Sequence, residues 1–508
     1  MSGFEVVVLF CSTLLCFCFL RFLHKIWVAP TRLQAKWRSQ GIRGPSYKFP
    51  HGNTKEISYM RSQFFDKPMD ISHYVHDLFP RLHPHVYAWT KVYGRNFICW
   101  HGSKCQLFVT EVELSKEILM NRDDAFRKMD MEGYLRKLLG EALTTNEGQK
   151  WAKVRKLADR SFHSESLNSM VPEMRSSVAK MLDKWGSYQG REIDVFKEFG
   201  MLTIEVISRT AFGSSCMDGK HIFEMKEKLA ALAAKNLHKV RVPGISLVVR
   251  SDDEVEAERL EQRINGSIME KVREREREGE LGSDYLGQLI RISHESDVKK
   301  RITRHQLIDE VKAIYGAGNY TTTSLLGWCV VLLATHTEWQ DRAREEVKET
   351  FGGNIPDFEG IARLKIMNMI INECLRLYPP ALSLTRTVAK ETKIGQLCLF
   401  PNTNIFISVL ALHHNPRIWG DDVHLFKPER FAHGVVEATH NNAAAFIPFG
   451  IGPRTCVGLN FSTNEAKIAL SMILHNYKFV LSPNYVHCPI ENIILVPRNG
   501  IQVILEKI

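Results

Sequence analysis

The sequence lacks a cysteine framework. Three of its eleven cysteines (Cys11, Cys16, Cys18) lie in an N-terminal apolar stretch. The others (Cys99, Cys105, Cys216, Cys329, Cys374, Cys398, Cys456, Cys488) are scattered irregularly, with no CxxC pair. That spacing fits neither a disulfide scaffold nor a zinc site. It suits a reducing compartment, where a lone cysteine needs its own explanation. Glycine (32) and proline (19) are too few in 508 residues for a collagenous or low-complexity chain. With a single long apolar run and a mean hydropathy of -0.18, a polytopic membrane protein is excluded. Repeats of about 20–50 residues are absent, so solenoids and propellers are excluded too.

What is present is ordinary globular composition, 44% hydrophobic and 24% charged, in a chain long enough to bury a real core. The net charge of +10 is concentrated. Arg21, Lys25, Arg32, Lys36, Arg38, Arg43 and Lys48 fall between Arg21 and Pro50 with no acid among them. A nucleic-acid binder sets its charge on a folded face with aromatic platforms. Here the charge directly follows the apolar run Val6–Leu20, extended by Phe22 and Leu23. That is the positive-inside arrangement of a membrane anchor. A cleaved signal peptide is the competing reading, but the segment has no basic start and no small-x-small cleavage site. The expected organisation is therefore an anchor over residues 1–23, a basic linker with a Gly41–Pro45 hinge over 24–50, and a folded body over 51–508. The N-terminus would be lumenal and the body cytosolic.

From His51 to about Tyr378 the pattern reads as mostly helical. Trp151–Ser161, Gln306–Ala334, Glu338–Phe351 and Leu364–Tyr378 are the clearest segments, the last stopped by Pro379-Pro380. Gly316 and Gly318 sit inside the long second segment. An interior glycine costs a helix about 1 kcal/mol against alanine, so a close approach to the backbone is expected there. Short apolar segments at Asn404–Ala411 and Ile493–Leu505 read as a small β component. The run Arg273–Glu280 reads as a solvated helix end.

The segment Phe449-Gly-Ile-Gly-Pro-Arg-Thr-Cys456-Val-Gly458 concentrates the chemistry. It sets glycines and a proline before a cysteine, then an amphipathic helix from Leu459 to Leu474. Oriented N–H groups at a helix start favour thiolate, and thiolate is a haem-iron ligand that promotes O–O cleavage. Gly452 and Gly458 would let the backbone lie against a flat macrocycle, and Arg454 could reach a propionate. The plainer alternative is that Cys456 is one more small buried hydrophobe.

At this segment the chain resembles the cytochrome P-450 superfamily of haem-thiolate monooxygenases. Phe449, Gly452, Arg454, Cys456 and Gly458 match every specified position of its FxxGxRxCxG loop. The resemblance implies a mainly α fold with a small β component, preceded here by one transmembrane helix, and haem b with Cys456 as axial iron ligand. Trp151 and Arg155 match the WxxxR pair that contacts haem propionates, and Arg386 falls where another propionate-binding arginine is common. Glu373 and Arg376 match the ExxR of the K helix, a motif worthless alone, since Glu256…Arg259 and Glu274…Arg277 fit it too. Its place before Tyr378-Pro-Pro distinguishes it. With Arg430 of the Phe426–Phe431 segment, Glu373 and Arg376 would form a buried charge network.

Ala317-Gly-Asn-Tyr-Thr-Thr322 matches the oxygen-activation motif A/G-G-x-D/E-T-T/S except at Tyr320. By the resemblance Gly318 opens the helix groove for dioxygen and Thr321 helps deliver protons. A phenol with a pKa near 10 cannot supply a carboxylate's charge at neutral pH, so Thr321 is expected to matter more than Tyr320. Substrate contacts would come from about residues 126–143, from Ala313 and Ala317, and from Leu382. Gln40–Pro45, Phe162-His163 and His413–Trp419 look like the plant clan that includes secologanin synthase and hormone-modifying hydroxylases. That implies a small apolar substrate and a place in the endoplasmic reticulum membrane. Nothing resembles a flavin or nicotinamide module, so NADPH would act through a separate cytochrome P-450 reductase. The alternatives are a haem-thiolate isomerase or dehydratase needing no external electrons, and a haem-binding protein without catalysis.

Overall fold

The N-terminal apolar run forms helix α1 (Gly3–Leu23), none of whose residues is buried. Five residues of π-helix, His24–Val28, carry it without a break into α2 (Ala29–Ser39). The continuous helix Gly3–Ser39 is long and apolar enough to cross a membrane. This computed structural model describes residues 3–70, 75–188, 190–213, 220–236 and 251–508; Cys216 lies outside them.

The segment expected to be linker is thus helical as far as Ser39, and its end already belongs to the body. Trp37 is fully buried and meets Phe400 edge-on at 5.1 Å. Gln40 exchanges two hydrogen bonds with the main chain of Cys398, donating at 3.0 Å and accepting at 2.6 Å. The sequence placed the start of the body at His51 because the basic charges of α2 mask its single apolar stripe.

A five-stranded sheet holds β1 (Asn96–His101), β2 (Lys104–Val109), β3 (Phe126–Arg127), β4 (Ser383–Val388) and β5 (Asn404–Ser408), in spatial order β1-β2-β5-β4-β3. Only the β2–β5 pairing is parallel, with Gln106 opposite Asn404. β1 and β2 form a hairpin closed by Gly102-Ser103, with Gly102 at a φ of 56°. These strands interrupt the stretch expected to be helical. Residues 97 to 100 of β1 are all buried, and a strand covered on both faces shows no alternation to give it away. At the C-terminus Ile494–Pro497 and Gln502–Lys507 are strands as expected, whereas Asn404–Ala411 turns helical after Ser408.

Six helices position the site: α3 (Gly148–Ser161), α4 (Val195–Phe212), α5 (Lys220–Asn236), α6 (Arg304–Thr335), α7 (Lys365–Leu377) and α8 (Leu459–Asn476). The 32-residue α6 is the spine. Its start is closed by a reciprocal cap between Thr303 and Gln306, which satisfies two otherwise orphaned N–H groups. From Thr322 to Ala334 every residue is buried, and from Leu325 onward this half is apolar all round and sits in the middle of the core. The arginine-rich run ends its helix at Gly279, as expected of a helix end. It is not wholly solvated, because Arg275 pairs with Asp284 at 2.8 Å and donates to Phe212 O at 2.5 Å.

Candidate active site

The loop before α8 is shaped by two glycines at left-handed φ, Gly450 at 69° and Gly452 at 78°. A Cβ on Gly452 would lie 2.5 Å from the carbonyl oxygen of Leu119, a distance no real Cβ tolerates. The Cys456 N–H donates to Phe449 O at 2.9 Å and closes the loop. Cys456 follows a single 3-10 turn, Gly452–Arg454, three residues before α8. Its side chain faces open space although its surroundings are dense. Burial pushes the thiol up, against the pull of the Gly458 N–H and of Arg155 and Lys128. The pull of the Gly458 N–H is the helix-start effect expected from the sequence, and burial opposes it. A coordinated metal ion, which deprotonates its thiol outright, supplies what the dipole does not.

Four cations gather near this thiol. Arg155 of α3 donates to Thr455 O at 2.5 Å and pairs with Asp159 at 2.8 Å. Arg454 donates to Asn146 O at 2.8 Å, pairs with Glu147, and lies over the ring of Trp151 at 4.0 Å. Arg386 of β4 is buried and donates to Thr385 O at 2.8 Å. Burial, with Arg454 adding, lowers its pKa to about 10. Lys128, just past β3, is lowered to about 7 by burial and by Arg386 and Arg454. No ion pair holds Arg386 or Lys128 among the described residues. Leaving buried cations unpaired is expensive, and an incoming dianion offsets it. An open thiol ringed by cations short of anions fits haem, whose iron takes a thiolate and whose propionates take the cations.

On α6, Ala317 is exposed and Thr321 half-buried, with Thr321 Oγ1 donating to Ala317 O at 2.7 Å. Gly318 does not share that face. A Cβ on it would meet Ile207 of α4 at 2.9 Å, so its missing side chain admits α4. Successive helix residues diverge by 100°, which turns Gly318 away from Ala317. Gly316, by contrast, faces Lys226 of α5. Of the residues expected to line the pocket, Ala317 is open, whereas Ala313 and Leu382 are buried at 3% and 2% exposure. The β4 residues with accessible side chains are Ser383, Leu384, Thr385 and Thr387. Tyr320 lies on the Gly316 side of α6, its ring 3.6 Å from where a Cβ on Gly316 would stand.

Glu373 and Arg376, both fully buried on α7, form a two-pronged pair with both N···O distances 2.7 Å. Arg376 also donates to His413 O at 3.0 Å and Val423 O at 2.7 Å. Arg430 approaches Glu373 at 3.4 Å and donates to Trp419 O and Asp422 O, each at 2.7 Å. The three charged residues singled out in the sequence are thus one cluster, tied to the loops that lead to Cys456.

A cavity of about 540 Å³ lies beside this region, bordered by Lys25, Ile26, Pro50, Met131, Ala233 and Phe406. Its lining includes neither Cys456 nor Thr321, but it reaches the foot of the N-terminal helix. Sequence reasoning missed Lys128 and Glu147. Glu147 stands one turn ahead of Trp151 at the start of α3, the nearest thing to a signal of the two.

The Cytochrome P450 family model matches residues 75–505. The chain is 53% identical to Cytochrome P450 CYP749A22 of Panax ginseng, over 97% of this chain and 95% of that protein. It is 37% identical to 11-oxo-beta-amyrin 30-oxidase of Glycyrrhiza uralensis and 37% to Secologanin synthase 1 of Catharanthus roseus, in each case over 96% of this chain and 95% of the relative. The retinoic acid-bound cyanobacterial CYP120A1 structure superposes with a TM-score of 0.76 at 20% identity, covering 91% of this chain and all of that one.

Proposed function

The chain belongs to the cytochrome P450 family of monooxygenases, and from that premise we propose that it is a single-pass enzyme of the endoplasmic reticulum membrane. In this reading it inserts one oxygen atom from O2 into a small apolar substrate, terpenoid or hormone-like, with electrons from NADPH through a separate cytochrome P450 reductase. The observation that carries the reading is the open Cys456 thiol among Arg155, Arg386, Arg454 and Lys128. Haem b bound there supplies dioxygen activation and oxygen transfer. Cys456 would offer Sγ to its iron, and the four cations would offer N–H donors to its propionates. Trp151 braces Arg454 through its ring face, and Phe449, Gly452 and Gly458 shape the loop that would lie against the macrocycle.

On α6 the exposed Ala317 would leave room for substrate, and Thr321 holds a proton at Oγ1. That hydroxyl donates to Ala317 O. Glu373, Arg376 and Arg430 do no chemistry; they hold the loops that carry the thiol. The relative named 11-oxo-beta-amyrin 30-oxidase supports an apolar, terpenoid-like substrate. Isomerases and dehydratases of this kind usually lose the helix threonine, and Thr321 is retained.

Reduced protein with carbon monoxide should show the red-shifted band of thiolate ligation, and Cys456→Ser should lose it. Membranes supplied with reductase and NADPH are then tested on gibberellin, steroid and triterpenoid candidates. Product that requires NADPH supports the monooxygenase reading. Product formed without NADPH would establish the isomerase, and a normal band in Cys456→Ser would remove the ligand assignment.

A further inference from the structure

Three side chains with metal-ligating atoms converge beside the Glu373–Arg376 pair. They are Asp77, His414 and His424, and one ligating atom from each lies within 4.8 Å of the other two. His414 ends the short helix Val409–His413 and is buried, at 4% exposure. Its Nε2 lies 3.0 Å from Leu377 O. A carbonyl only accepts, so in the neutral ring that contact sets the proton on Nε2 and leaves a bare lone pair on Nδ1. Among the described residues this buried Nδ1 has no hydrogen-bond partner. Nδ1 of His424 is buried and unpartnered in the same way. It sits 3.7 Å from Asp77 Oδ1, too far for a hydrogen bond. The rings of His414 and His424 have their centres 5.5 Å apart.

The backbone behind each of the three is held by groups that would not ligate. Arg376 donates to His413 O at 3.0 Å and to Val423 O at 2.7 Å, the residues just before the two histidines. The His76 N–H donates to His424 O at 2.8 Å, which fixes the residue before Asp77. The charge of Arg376 is itself balanced by Glu373.

We propose that His414 Nδ1, His424 Nδ1 and Asp77 Oδ1 hold a divalent zinc ion, with water in the fourth position. Zinc takes imidazole nitrogen and carboxylate oxygen at about 2.0–2.2 Å, so neighbouring ligands at tetrahedral angles stand about 3.3 Å apart. The 3.7 Å between His424 and Asp77 is already close to that span. The Leu377 carbonyl plays the part of an outer-shell acceptor, which orients a ligating imidazole and strengthens it as a donor. Two imidazoles favour zinc over magnesium or calcium, which prefer oxygen alone. Asp77 and His424 keep side-chain exposures of 37% and 29%, which gives the ion a way in. Three protein ligands and a water make an exchangeable site rather than a closed one. The ion would clasp the stretch before the helix Phe79–Leu82 to the two loops that Arg376 holds.

The test uses the full-length, haem-loaded protein in detergent, so that Cys456 is occupied, and zinc ion alone as the probe. After treatment with chelator, dialysis against zinc should restore one zinc per haem, counted by elemental analysis. The zinc K-edge spectrum should show a nitrogen and oxygen shell with two imidazoles. His424→Leu and Asp77→Asn should each weaken zinc binding by about tenfold or more, with haem content and the carbon monoxide band unchanged. Zinc should raise the melting temperature of the wild type and not of either variant, because a ligand stabilises only the state that binds it. Zinc binding that neither variant weakens, or a shell containing sulfur, would overturn the site. So would equal stabilisation by magnesium. Should a variant lose haem, the wild-type spectrum decides alone: a shell without imidazole overturns the proposal.

Discussion

The guanidinium of Arg454 lies 4.0 Å from the ring centre of Trp151. It joins the cysteine loop to α3 across most of the chain's length. The same arginine is clamped by Glu147 and Asn146 O, so the indole, the acid and the loop hold it from three sides.

This contact predicts how firmly haem is held. A desolvated cation–π contact is worth about 2 kcal/mol. Trp151→Ala should therefore speed haem loss by roughly tenfold or more, and Trp151→Phe by less. Transfer of haem to excess apomyoglobin measures the rate. Equal rates in all three proteins would show that Trp151 only fills space.

The pair Glu373–Arg376 is fully buried, and removing one partner strands the other. Arg376→Leu should destabilise the protein by about 3–5 kcal/mol. Arg430→Ala should cost less, because Arg430 keeps some exposure and leans mainly on Asp422 and carbonyl oxygens. Urea unfolding in detergent, followed by the haem absorption, gives both values; a larger loss for Arg430→Ala would reverse the ranking.

Two truncations should part company at α2. Deleting residues 2–23 should weaken membrane association and leave haem content unchanged. Deleting residues 2–39 also removes Trp37 from its fully buried site, and emptying a buried tryptophan site costs about 3–5 kcal/mol. The longer deletion should lose thermal stability and haem. Flotation and haem per protein distinguish the two, and an equally stable longer deletion would place Trp37 outside the cooperative core.

Glu310 on α6 is fully buried and accepts a hydrogen bond from Leu143 N–H at 3.1 Å. Burial, with Asp309 adding, raises its pKa from 4.5 to about 8. An acid raised in the folded state binds its proton more tightly there than in the unfolded chain, so its contribution is full below pH 4.5 and lost as pH rises through about 8. Glu310→Gln should flatten that fall. Melting temperatures across the neutral range check it; a slope identical to wild type would mean that Glu310 does not carry the dependence.

The sequence by itself determined the chemistry that is local. Phe449–Gly458, Trp151–Arg155 and Glu373–Arg376 are each read within one turn or one loop, where spacing fixes which groups meet. The long helices were legible as well, because a period of 3.6 persists over many residues. Tertiary structure alone decided the rest. β1 and β2 are buried on both faces and show no period. Trp37 counts as core only once Phe400 is beside it. Gly318 faces Ile207 because α4, and not an open groove, lies on that side of α6. Lys128, just past β3, and Arg386 of β4 meet Arg454 from separate parts of the chain, and Lys226 reaches Lys312 O only where α5 crosses α6. In each case the partner lies far away in the chain, and which side chains face each other is set by how helices and strands pack, which no spacing within one segment encodes.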